Sequence, residues 1–101
     1  MGYLGYTKKA ILDFTKGIEI SPDTKSYYNR GVIKGQLSDL RGAILDYTKA
    51  IELDPNYISA YTNRGVAKYK LGDKNGACID WSKAGELGHE SVYDVIKAHC
   101  N

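Results

Sequence analysis

The sequence predicts an all-α fold, a stack of antiparallel helix pairs closed by a C-terminal capping helix, and three observations carry that expectation. Apolar residues recur in threes and fours and nowhere alternate as a half-buried strand would. Blocks of sequence recur with a period of roughly 34 residues. Aspartate and proline stand at the seams between blocks, where helices start and stop.

The repeat is visible by eye. Segments 4–20, 37–53 and 71–87 align without gaps, so that Ala10, Ala43 and Ala77 coincide, as do Phe14, Tyr47 and Trp81. Between them lies a second recurring piece, Tyr27-Tyr28-Asn29-Arg30-Gly31-Val32 against Tyr61-Thr62-Asn63-Arg64-Gly65-Val66. One residue is missing from the first inter-repeat turn, between Pro22 and Tyr27, where a solenoid tolerates a change of length. Each repeat reads as two amphipathic helices. The first carries Tyr27 and Gly31, then Ala60, Tyr61, Gly65, Ala67 and Leu71 in the next copy; the second carries Ala43, Ile44, Tyr47, Ala50 and Ile51, then Ala77, Cys78, Trp81 and Ala84. Asp39 and Asp73 precede the second helices as expected N-caps, and Pro55 disfavours helical geometry at Asp54 and so ends the helix before it.

After Leu87-Gly88, the residues Val92, Val95, Ile96 and Cys100 form a one-sided stripe, with Asp94, Lys97 and His99 turned elsewhere. This is the expected capping helix, and Ser91 to Asp94 resembles an acidic capping box. The expected organisation is one domain over 1–101: a half repeat at 4–22 that holds only a second helix, repeats at 23–55 and 56–89, and a cap at 90–101.

Composition excludes several functions. Lys and Arg number 14 against 12 Asp and Glu, a net charge of +2, with no run of like charges to meet nucleic acid. No basic segment followed by an apolar stretch marks a signal peptide, Tyr6 spoils a myristoylation pattern, and no apolar run approaches the roughly 20 residues of a membrane span. A cytoplasmic location without a membrane partner is the default. Cys78 and Cys100 are too few for a disulfide framework and match no ligand spacing, so both are read as reduced thiols, Cys78 as a small core residue. His89, His99, Cys78 and Cys100 do not make a metal set, because adjacent helix positions point apart. With no phosphate loop, nucleophile elbow or His-Glu-x-x-His pattern, no cofactor is expected and the chain is read as non-catalytic.

The pattern Tyr61-x-x-x-Gly65, Leu71-Gly72-Asp73, Ala77-x-x-x-Trp81-x-x-Ala84, with Pro55 closing the preceding unit, resembles the tetratricopeptide repeat family over about residues 4 to 88. It departs by placing Arg30 and Arg64 where leucine is common and His89 where the closing proline would fall. The resemblance implies a right-handed superhelix whose concave side is lined by the first helix of each unit, and a protein-interaction scaffold that takes a peptide or protein segment there. It implies a groove of Lys25, Tyr28, Asn29, Val32 and Gln36 from one unit, Ser59, Thr62, Asn63, Val66, Tyr69 and Lys70 from the next, and Lys97 from the cap. Members that clamp the terminal carboxylate of chaperone tails use lysines, an arginine and asparagines on this face. Asn29 and Asn63 match that pattern, whereas Tyr28, Val32, Thr62 and Val66 stand where the clamp's other lysine and asparagine would be.

Two more expectations follow from the residues. Arg30 and Arg64 recur with the repeat, as do Asp13, Asp46 and Asp80, so each arginine is expected to pair with an aspartate across its helix pair. A half repeat lacking its first helix should leave Ile11, Phe14 and Ile18 without cover, an alternative contact face for a homo-oligomer or for the remainder of a longer array.

Overall fold

The computed structural model describes the backbone of residues 2–100 and the side chains of residues 7–100. Of the aligned blocks, the side chains of Leu4, Gly5 and Tyr6 therefore lie outside the described set. The described residues form six helices: α1 (Gly2–Ile20), α2 (Thr24–Gln36), α3 (Leu40–Leu53), α4 (Ile58–Lys70), α5 (Lys74–Glu86) and α6 (Val92–His99). Each packs against the next in sequence, and α2 also touches α4. The first helices of the pairs thus make the inner layer of a helical solenoid, and the second helices make its outer layer.

Local chemistry starts and ends these helices. The Asp39 carboxylate accepts from the Gly42 amide at 3.0 Å and Asp73 from that of Gly76 at 2.9 Å, satisfying amides that the first helical turn cannot pair. Asp23 does the same for Ser26, whose amide holds the Asp23 carboxyl below its ordinary range. α3 stops at Leu53, with Asp54 extended ahead of Pro55. At α6 the expected capping box does not form. Ser91 is in helical conformation and makes no side-chain cap; its hydroxyl shares a hydrogen bond with His89 Nδ1 at 3.3 Å.

Small residues set the helix spacing. An added methyl at Gly31 would lie 2.7 Å from the Tyr47 ring, and one at Gly65 would lie 2.5 Å from Trp81 Nε1, so both positions admit glycine alone without displacement. Buried Ala43, Tyr47, Ala50 and Ala60 form one core cluster, with Tyr27, Tyr28, Val32, Ile51 and Tyr57 against it. Ala77, Trp81 and Val92 form a second, ringed by Cys78, Val95, Ile96 and Cys100, which is the stripe expected of the cap.

Two expectations are corrected here. Cys78 and Cys100 are joined as a disulfide, with Cα atoms 5.8 Å apart, and are not reduced thiols. Both lie on apolar stripes, and packing α6 against α5 brings those stripes into register. His99 does not turn away: its ring meets Tyr69 at 5.1 Å and Trp81 at 6.2 Å, and Nδ1 shares a hydrogen bond with the Tyr69 hydroxyl at 3.2 Å.

Candidate peptide-binding groove

The ion pairs behind the groove fix how its two helices are set. Arg30 donates to both oxygens of Asp46, Nε at 2.8 Å and Nη2 at 2.7 Å, and Nη1 reaches Thr15 Oγ1 of the preceding unit at 3.1 Å. Arg64 repeats the arrangement with Asp80 at 2.8 and 2.7 Å and with Thr48 at 3.1 Å. Lys34 and Lys68 each add a second cation, 3.2 Å from Asp46 and 3.3 Å from Asp80. The carboxylates hold both guanidinium pKa values above the ordinary range, against the opposing effect of burial. A planar fork meeting a carboxylate along two bonds fixes orientation as well as distance. Each arginine therefore ties three helices together. Asp13, the first copy of the repeated aspartate, is exposed and none of the described ion pairs includes it.

On the inner face two depressions run along α2 and α4. One, of about 280 Å³, is walled by Val32 and Gln36 from α2 and by Asn63, Val66 and Lys70 from α4, over a floor of Ala43 and Tyr47. The other, of about 490 Å³, is walled by Tyr28, Ser59, Thr62 and Asn63, with His89 at its end. The expected groove residues Tyr28, Val32, Gln36, Ser59, Thr62, Asn63, Val66 and Lys70 come together in this way. Lys25, Asn29, Tyr69 and Lys97 line neither depression. Lys25 and Lys97 are exposed, and Tyr69 stands at the junction of α4 with the cap, its ring tilted against Trp81 at 5.8 Å.

The two asparagines are unequal. Asn63 Nδ2 donates to the Tyr28 hydroxyl at 3.0 Å and joins α4 to α2 across the point where the depressions meet. Tyr28 in turn lies against Tyr47 at 5.8 Å and Tyr57 at 5.3 Å. Burial pushes the Tyr47 phenol up to about 12, with the Asn63 side chain drawing it slightly the other way. Sequence reasoning missed this bridge, and also the place of Ile58, Gly35 and His89 at the groove. The signal was available for His89, which replaces the closing proline of the repeat.

At the N-terminal end, Ile18 is buried and Ile11 and Phe14 are half-buried on the helix that packs against α2; among the described side chains of α1, Leu12 and Ile20 are the exposed aliphatics. Among the described residues there is no metal-holding cluster and no helix long and apolar enough to cross a membrane.

This architecture defines the class, a helical repeat scaffold. The model of the TPR repeat family matches residues 33–72, from the second half of α2 through the turn after α4. Residues 33–72 thus carry a tetratricopeptide repeat (TPR), and the chain as a whole has the fold of TPR domains. Solved structures agree over most of its length. The first TPR of Spaghetti (RPAP3), bound to the HSP90 peptide SRMEEVD, superposes with a TM-score of 0.84 at 25% identity, covering 97% of this chain and 83% of that one. The TPR2B domain of yeast Sti1, in a pHsp70 complex, gives 0.80 at 29% identity, with 85% and 70% covered. Yeast Tom70 gives 0.88 at 24% identity, a likeness of fold alone; 95% of this chain is covered but only 20% of Tom70. The comparison with curated proteins returned no match.

Proposed function

We infer that the chain is a non-catalytic interaction scaffold whose concave face, between α2 and α4, takes an extended segment of a partner protein. The observation that carries this reading is the pair of depressions meeting at Asn63 and walled by eight of the residues that the family pattern assigns to the groove. A bound segment would lie over aliphatic Val32 and Val66 at one end and over Tyr28 and Thr62 at the other. Lys70 is charged and no carboxylate stands in the walls of either depression, so acidic segments are favoured. The acidic HSP90 peptide SRMEEVD bound by the first TPR of Spaghetti supports this choice. The clamp used on chaperone tails is a poorer fit, because Tyr28, Val32, Thr62 and Val66 replace its polar and basic positions.

The test is capture from the native cell extract with wild-type protein and with Val66→Glu. Val66 is partly exposed at the groove wall, so the substitution should leave the melting temperature in place while losing the captured partner. Equal capture by both would remove the partner from this groove.

A further inference from the structure

The outer face of the solenoid carries a second repeated feature that the groove does not use. Leu12 on α1, Leu45 on α3 and Ile79 on α5 occupy the same position of the repeat, and are 54%, 71% and 69% exposed. Single exposed aliphatics are common on protein surfaces and mean little. Three at one repeat position form a row across the convex side.

Charge surrounds that row in a regular way. Residues three and four positions away share a helix face, and those positions hold Lys8, Lys9 and Lys16 around Leu12, Arg41 and Lys49 around Leu45, and Lys83 beyond Ile79. None of them holds a carboxylate. All six cations are exposed. The acidic position next to the row is spent inward in two of three copies, since Asp46 and Asp80 are buried against Arg30 and Arg64. The inner ion pairs thereby leave cations as the near neighbours of each exposed aliphatic. Glu19, Glu52 and Glu86 stand two turns further on, and Glu52 sits 3.5 Å from Lys49. Shallow depressions flank two members of the row: one of about 260 Å³ beside Leu45, with Arg41, Ile44 and Leu71, and one of about 360 Å³ beside Ile79, with Cys78, Ser82 and Lys83, and Glu86 as its one carboxylate.

We propose that this convex row is a second docking surface, for an amphipathic segment of a partner whose aliphatic stripe is bordered by Asp and Glu. Its aliphatic side chains enter the depressions beside Leu45 and Ile79, and its carboxylates meet Arg41, Lys49 and Lys83. The site is separate from the concave groove, so either can be occupied without the other.

The probe is a labelled synthetic helix with a leucine stripe bordered by glutamate, titrated by fluorescence anisotropy. It is compared with the same stripe bordered by lysine and with vesicles of phosphatidylserine and phosphatidylcholine. The glutamate peptide should bind wild type and weaken as salt rises. It should lose about tenfold or more in affinity with Leu45→Ser plus Ile79→Ser, and be unaffected by Val66→Glu in the groove. Should the serine variant lose its melting transition, Lys49→Glu with Lys83→Glu tests the same surface. Four results overturn the proposal: no binding of the glutamate peptide, equal binding of the lysine peptide, binding to vesicles alone, or loss of binding in the groove variant only.

Discussion

The two complete helix pairs, α2 with α3 and α4 with α5, are built on one plan and finished in different ways. Both hold a buried aspartate in a bidentate arginine pair tied to a threonine of the preceding unit. Both seat an aromatic side chain over a glycine, Tyr47 over Gly31 and Trp81 over Gly65. The first pair lies between α1 and α4. The second is closed by α6, bonded covalently through Cys78 and Cys100. The difference teaches that the repeated contacts define the unit, while the unrepeated ones define its place in the array.

The largest expected effect tests the shared plan. Replacing Asp46 or Asp80 by Asn leaves an arginine and a lysine without their carboxylate, and each should cost about 3 kcal/mol in denaturant unfolding. Asp80→Asn should be no milder, since its side chain is 2% exposed against 5% for Asp46. Asp13→Asn, at the same repeat position but exposed, should stay within about 0.5 kcal/mol. Similar losses at all three aspartates would break the claim that the pair, and not the position, stabilises the unit.

Next comes the feature that only the second pair has. Opening the disulfide frees a loop spanning 22 residues of sequence separation, which on chain-entropy grounds removes about 3 kcal/mol. The loss should be local. Trp81, the single tryptophan, should change its fluorescence on reduction as α6 loosens, while amides of α2 and α3 keep their exchange protection. A uniform fall in protection would show that the cap stabilises both pairs alike.

The aromatic seats differ in their response to alkali. Tyr47 titrates near 12 in the folded protein and near 10 unfolded, so its neutral form supports folding fully below pH 10. That support is lost as pH rises through about 12. Tyr47→Phe should flatten the fall in stability between those values, measured as melting temperature against pH; an unchanged slope would assign the fall to other phenols.

The smallest effect concerns the turns within the pairs. Ser38 has φ 64° where the second pair has Gly72 at φ 94°. A side chain is disfavoured in this left-handed region. Ser38→Gly should therefore stabilise by about 0.5 to 1 kcal/mol, and Gly72→Ser should destabilise by a similar amount. Thermal melts of the two variants read the difference directly.

Much of the lining of the two depressions was legible because the residues that build it repeat. Val32 and Val66 recur one unit apart on the first helices, and both wall the same depression. The unequal fates of Asn29 and Asn63 were not legible. Among the described residues, Asn63 has a tyrosine of the preceding first helix, Tyr28, within reach of its amide. His99 was misread for a related reason: helical spacing gives the face of a residue but not the length of ring that reaches round it to Tyr69.

Sequence by itself determined the helix pairs, their caps at Asp39 and Asp73 and the arginine–aspartate pairing. Each is a local or periodic constraint, and periodicity brings residues one repeat apart into equivalent surroundings. Tertiary structure alone decided that Cys78 and Cys100 bond, that Asn63 bridges to Tyr28, that Ile18 is buried, and that Leu12, Leu45 and Ile79 line up in the open. Those outcomes depend on how α6 and α1 settle against the array. Distances between side chains on different helices are set by packing, which no spacing along the chain specifies.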